Sequence, residues 1–340
     1  MHLNFCTLFN VNYLAKGLAL YESLVKTSPQ FHLYIFAFDD LSQQILTEKK
    51  LAKATIIPLG EFENEQLLAV KADRTKGEFC FTCTPFTVKY CIETFGLDHC
   101  TYVDADLYFY NDPTELIVSM GDNSVLITPH NYHYLYDQSA VAGIYCVQFL
   151  CFKNTAEGMK VLNWWAAACI KWCYYRFEDG KMGDQKYLDS WPYMFDGVQI
   201  CRSPGAGMAP WNALSFDLKI EGNRMCIGDG ILYFYHFHGL NYLSNQTWYI
   251  GGYQIPQITM EKIYKPYIKR LVEIDKEVRD SYTNADTLNT VDAKTFNALT
   301  LKYKVGIYVI DIKKSIRQFA SDLFFNDRRK HYKNNYIKVN

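Results

Sequence analysis

Short apolar runs alternate with stretches of helical periodicity from the first residues onward, and that alternation leaves few folds open. Residues 3–9 read as a strand, Leu14 to Leu24 carries apolar positions at helical spacing, and Phe31–Phe38 is a second strand stopped by Asp39-Asp40. Residues 41–53 look helical, and Ala54–Leu59 is a third short strand. Such repetition requires crossover connections, so an α/β fold with a largely parallel sheet flanked by helices is expected. The pattern continues with a helix from Pro85 to Phe95, then a strand running into Asp104. Val125–Thr128 and Tyr145–Phe152 are further strands, and a long helix spans about Thr155 to Tyr175 with Trp164, Trp165 and Trp172 turned inward. Ile231–His238 is expected to be a strand that closes the sheet-forming part of the chain. Pro256 marks a change to helical, charged sequence, so the chain divides into an α/β domain over 1–255 and a mainly helical, basic extension over 256–340.

Composition narrows the class of function. With 49% hydrophobic and 21% charged residues in 340, the chain can build a sizeable core. A net charge of -1 excludes a globally basic nucleic-acid binder, and no nucleic-acid partner is expected. The N-terminus lacks a basic region followed by an apolar run, and no stretch reaches membrane-spanning length. Eleven scattered cysteines fit reduced thiols, so a cytoplasmic location is expected. The lone Cys80-x-x-Cys83 pair reads as structural, and the sequon at Asn245 carries no weight in a cytoplasmic protein. From 302 to 340 there are ten Lys or Arg against three Asp, interleaved with Ile316, Phe319, Leu323 and Phe324. Such a tail can lie peripherally on an anionic membrane or dock as a solvated helix on the domain.

Ligands of open parallel sheets bind beyond the carboxyl ends of the strands. Two segments fall there: Asn10-Val11-Asn12-Tyr13 after the first strand, and Asp104-Ala105-Asp106 after the fourth. Side chains two apart in extended backbone point the same way, so both carboxylates can reach one hard cation, which relieves the cost of confining them together. A cation held so would keep positions open for anionic oxygen, such as a diphosphate. Gly183-Asp184-Gln185 offers a carboxylate and a carboxamide able to orient sugar hydroxyls, although an aspartate capping a helix looks the same. Within Pro204–Asn212, Trp211 supplies a stacking face and Asn212 a polar hook, with glycines that permit close backbone approach. His236 and His238 share one face of the last strand; one imidazole joined to two carboxylates favours Mn2+, with Mg2+ as second choice.

Taken together these motifs resemble those of nucleotide-diphospho-sugar glycosyltransferases of the GT-A (Rossmann-like) fold, close to glycosyltransferase family 8 and its bacterial relatives. Asn10–Tyr13 resembles that family's D-x-N-Y turn, Asp104–Asp106 its D-x-D motif, Asp184-Gln185 its D-Q pair, and His236-Phe237-His238-Gly239 its H-F-x-G motif, in order over roughly residues 3–243. The resemblance implies that Asn10, Asn12 and Tyr13 contact base and ribose, that Asp104, Asp106 and His236 bind Mn2+ and through it the donor diphosphate, and that Asp184 and Gln185 act on the reacting sugar. It selects His236 over His238 as ligand, leaving His238 with Lys89, Trp211 and Asn212 as substrate contacts. It also implies a UDP-sugar donor and retention of anomeric configuration; for a cytoplasmic enzyme of this kind with a basic tail, a glycan or lipid-linked acceptor, as in polysaccharide or lipopolysaccharide synthesis, is expected.

Three departures accompany it. Asn10 stands where the family has Asp, and Gly143–Gln148 differs from the family's Asn- and Gly-bearing strand. Gly239 is followed by Leu-Asn-Tyr-Leu-Ser in place of the family's lysine, so Lys89, Lys181, Lys186 or Arg202 would have to meet the diphosphate charge. Competing readings are a sugar-phosphate nucleotidyltransferase, which needs an N-terminal glycine-rich phosphate loop absent from Phe5–Leu14, a non-catalytic carbohydrate-binding protein, and a self-glycosylating protein rich in tyrosine.

Overall fold

The computed structural model describes residues 1–222, 224–294, 296 and 336–338. Seven strands form the main sheet. β1 (Leu3–Phe9), β2 (Phe31–Ala37) and β3 (Ala54–Pro58) are joined through α1 (Leu14–Thr27) and α2 (Asp40–Lys49). α3 (Leu59–Phe62), α4 (Glu65–Lys71) and α5 (Lys76–Phe95) then lead to β4 (His99–Val103). The chain leaves the sheet for the short β5 (Leu107–Phe109) and α6 (Thr114–Val118), and returns through β6 (Val125–Pro129), α7 (Ser139–Ala142) and β7 (Tyr145–Lys153). α8 (Ala156–Lys171) and α9 (Trp191–Met194) precede β8 (Val198–Ile200), which completes the order β3-β2-β1-β4-β7-β6-β8. Only β7 runs against its neighbours β4 and β6; the other pairs are parallel.

Both faces of the sheet are covered, which is why its central strands read as continuous apolar runs. Phe5, Leu33, Ile35, Val103 and Phe149 point toward α1, whereas Cys6, Phe36, Cys100, Tyr102 and Phe152 point toward α5 and α8. The strand period of two sorts alternate residues of β1 into the two layers.

Two elements differ from the sequence expectation. α5 begins at Lys76, nine residues before Pro85, because Thr75 and Glu78 form a reciprocal capping box that starts the helix upstream. Pro85 lies inside the helix and does not open it. The run expected to be the strand that closes the sheet-forming part instead splits. Following β9 (Ala206–Met208), a hairpin-like trio is made by β10 (Leu218–Glu221), β11 (Arg224–Ile227) and β12 (Gly230–Ile231). β13 (Phe234–His236) then pairs with β5 and β9 in a separate small sheet. Leu107–Phe109, just past the Asp pair, supplies a free edge for that pairing, so His236 is carried to the Asp turn from a second layer.

Beyond β14 (Asn241–Leu243) and β15 (Thr247–Tyr249), α10 (Gln257–Thr259) and a π-helical turn over Met260–Tyr264 lead into α11 (Lys265–Arg279). Tyr264, Tyr267 and Leu271 enter the same core as Phe5 and Phe9, and the Arg270 guanidinium forks onto Glu22 of α1 at 2.7 and 2.8 Å. Most of the basic tail read from the sequence lies outside the described residues; its residues Tyr336–Lys338 form β16, antiparallel to β15. Among the described residues no helix is long and apolar enough to cross a membrane.

Candidate active site

Asp104 and Asp106 converge, but by a turn rather than an extended segment. β4 ends at Val103, and the Leu107 N–H donates to the Asp104 carbonyl at 3.1 Å, closing a turn through Ala105 and Asp106. The Asp104 N–H donates to the Gln148 carbonyl of β7, and the Phe237 N–H, next to His236, donates to the Asp106 carbonyl at 3.0 Å. Backbone bonds thus stitch together the three segments that supply the cluster. His236 Nε2 lies 3.1 Å from Asp106 Oδ1 and 3.7 Å from Asp104 Oδ2. All three ligand atoms fall within 4.8 Å of one another, the spread that groups around one ion occupy.

The donor set fits a divalent cation. Two carboxylates supply hard oxygen, and one imidazole makes the set borderline, as Mn2+ prefers. Gln148 Oε1, 2.8 Å from His236 Nδ1, can only accept there, so Nδ1 carries a proton and Nε2 is left to face the carboxylates. Burial works against the charged form of Asp106, but His236 and Lys16 overcome it and hold its carboxyl well below the usual range. Burial pushes Asp104 up to about 6, with Asp106 adding to the rise and His236 opposing it. The same two carboxylates keep His236 protonated despite its burial, so a cation entering would have to displace the Nε2 proton. A second group, Cys6, Cys91 and Cys100, also has its ligand atoms within 4.8 Å, but it is sealed between sheet and α5 with no face open to a substrate.

The Asn10–Tyr13 turn sits at the carboxyl end of β1 as a single 3-10 turn with no side-chain cap from Asn10. Asp39 holds it: one oxygen accepts the Val11 N–H at 2.7 Å while the other caps α2 through Ser42. Tyr13 remains partly exposed, and the Lys16 ammonium lies 4.4 Å above its ring. Lys16 also donates to the Leu240 carbonyl at 3.1 Å and stands 3.8 Å from Asp106 Oδ2, so the turn and the Asp cluster are contiguous.

Asp184 is buried. Burial raises its carboxyl to about 7, a Thr84 hydrogen bond opposes the rise, and the charge of Asp104 adds to it. Gln185 directs its amide N–H to the Ala142 carbonyl at 2.8 Å. Trp211 is buried, donates to the His130 carbonyl, and meets the His236 and His238 rings edge-on at 5.3 and 5.4 Å. It walls the cluster instead of offering an open stacking face. The Asn212 amide is fully committed: Nδ2 donates to the His130 and Gly207 carbonyls and Oδ1 accepts from Ala209. Gly205 and Gly207 serve packing there, since a Cβ at Gly205 would stand 1.8 Å from the Ile231 carbonyl oxygen, and Gly207 adopts φ +113 beside Gln148. His238 lies beyond the end of β13 and is exposed.

Of the four cations named from sequence, three have partners of their own. Lys89 pairs with Glu93 on α5, Lys181 lies over the Trp172 ring, and Lys186 holds Asp189 and the Ser139 carbonyl. Arg202 is exposed in a groove with Glu115, Gln199 and Tyr233. Lys16, Gln148 and Asp39 are the site residues that sequence reasoning missed. A lysine inside the apolar first turn of α1 was the available signal for Lys16.

The central, mostly parallel sheet flanked by helices is the GT-A glycosyltransferase fold. The crystal structure of an active-site mutant of LgtC superposes with a TM-score of 0.51 at 10% identity, covering 80% of this chain and 96% of that one. No family model matches the sequence. Within the fold, the chain belongs to the family of the uncharacterized protein YfnF of Bacillus subtilis (strain 168), with which it is 30% identical over 249 residues, 71% of this chain and 82% of YfnF. YfnD of the same organism, also uncharacterized, is 28% identical over 291 residues, 82% of this chain and 92% of its own length.

Proposed function

We propose that the protein is a metal-dependent glycosyltransferase that moves a sugar from a nucleotide-diphosphate donor, UDP-linked, to a glycan or lipid-linked acceptor. The observation that carries this reading is the Asp104–Asp106–His236 cluster beside the Asn10–Tyr13 turn, at the strand ends where a nucleotide would lie. The shared fold supports it, LgtC being described as a galactosyltransferase. Asp104, Asp106 and His236 would hold Mn2+, which when bound supplies positive charge to the diphosphate. Gln148 fixes the imidazole that faces it. Asn10, Asn12 and Tyr13 would receive base and ribose, with Asp39 keeping that turn in shape. Asp184, whose carboxyl feels the charge of Asp104, would act with its neighbour Gln185 on the reacting sugar, and Trp211 packs against His236 and His238 at the cluster. In the reaction the bond from the anomeric carbon to the diphosphate oxygen breaks, its electron pair remaining on the diphosphate, while an acceptor hydroxyl bonds to that carbon and its proton passes to the released diphosphate or to water. Retention is the expected outcome, and kinship with family 8 is the finer placement the motifs favour.

A panel of sugar nucleotides incubated with the protein tests this. Mn2+-dependent hydrolysis of at least one UDP-sugar, abolished by chelator, is the expected result. A panel in which no sugar nucleotide is consumed faster with protein and Mn2+ than without would contradict it.

A further inference from the structure

We infer that Lys16 is the cation that receives the donor diphosphate, reaching from the first turn of α1 to the place where the loop after Gly239 lacks a basic residue. The inference rests on the glycosyltransferase reading above. Charge accounting at the site calls for such a group. Asp104 and Asp106 together cancel a divalent cation, so the two negative charges of a sugar-nucleotide diphosphate would meet an electrically neutral centre unless another cation stood beside it. Among the described residues, Lys16 and Arg74 are the lysine and arginine side chains that are buried. Arg74 is directed to the Cys169 and Ile170 carbonyls, far along the chain from the Asp turn.

Lys16 is placed and under-partnered. Its ammonium has three donors, of which one is used on the Leu240 carbonyl at 3.1 Å. Its contact with Asp106 is long, 3.8 Å, and Asp106 is already engaged by His236 at 3.1 Å. The Tyr13 ring below contributes a cation–π contact at 4.4 Å and no hydrogen bond. A buried ammonium is costly without full partnering, and an incoming phosphate oxygen can take the donors left over. The three groups around Lys16 belong to the nucleotide turn, the Asp turn and the residue following Gly239, so its ammonium lies between the parts of the site that a nucleoside and a diphosphate would occupy. Leu240 adds a further point: its carbonyl holds the ammonium at the segment that carries no cation of its own.

Calorimetric titration of full-length protein in Mn2+ with UDP against UMP, and with GDP against GMP, tests the assignment. Lys16→Gln removes the charge while keeping a donor for Leu240, Lys16→Met removes both, and Lys16→Arg keeps the charge; thermal melts verify that each is folded. The expected result is a loss of diphosphate affinity of at least about tenfold in Lys16→Gln, with monophosphate affinity changed by less than about twofold and Lys16→Arg close to wild type. Equal losses for diphosphate and monophosphate, or no loss in Lys16→Gln, would overturn the role of Lys16 while leaving the glycosyltransferase reading in place. Wild-type protein that bound no nucleoside diphosphate in Mn2+ would overturn both. Should Lys16→Gln not fold, loss of diphosphate preference in a folded Lys16→Met decides in its place.

Discussion

At the scale of single residues, the site is a set of charges drawn partly or wholly out of water. Asp184 shows what that costs. Its carboxyl is raised by burial, and by Asp104, to about 7 against 3.8 in an unfolded chain. The folded protein therefore binds more protons than the unfolded chain between those values, and stability from this group falls as pH rises through that window. In metal-free protein, Asp184→Asn keeps an acceptor for Thr84 and removes the charge. It should stabilise by up to about 4 kcal/mol at pH 8 and by little at pH 3.5. Urea melts at the two pH values measure this, and an equal effect at both would show that the carboxylate is not strained. Gln148 illustrates the opposite economy: one carbonyl oxygen fixes which imidazole nitrogen faces the carboxylates. Neither effect was legible in the sequence, because a glutamine in an apolar strand has no pattern that names its partner 88 residues away.

At the scale of elements, the alternation of strands and helices over residues 3–59 gave the layers directly, since each strand period and helix period appears in the order of apolar residues. Where the strand within Ile231–His238 pairs was not legible. Ile231–His238 is as apolar as a main-sheet strand, yet β13 pairs with β5 and β9, and hydrophobicity does not encode which edge a strand takes. Glycines at this junction are structural, as the contact between Gly205 and β12 shows. Gly205→Ala would set a methyl 1.8 Å from the Ile231 carbonyl oxygen, a backbone atom that cannot turn aside. The expected loss is about 1–3 kcal/mol, read as a lowered midpoint of thermal or urea unfolding. A midpoint equal to wild type would mean that this junction yields easily.

For the molecule as a whole, the recognisable part of the site was its motifs, and the hidden part was what joins them. Asp104 and Asp106 were paired with one imidazole because that chemistry points to one ion, the family resemblance selected His236, and the structure brings the three together. Lys16 and Asp39 were not paired with them, since each works through a contact made only when α1, β2 and the loop after β13 have packed. The same packing turned Trp211 and Asn212 inward, where sequence alone had left them facing a ligand. The central claim is that this assembled edge binds a nucleoside diphosphate through a divalent cation. Calorimetric titration of UDP and GDP, in Mn2+ and in excess EDTA, into wild-type protein and Asp106→Ala tests it most directly. Binding that appears in Mn2+, disappears in EDTA and is lost in the folded Asp106→Ala variant is the predicted result; nucleotide binding that persists unchanged in EDTA or in Asp106→Ala would contradict the account.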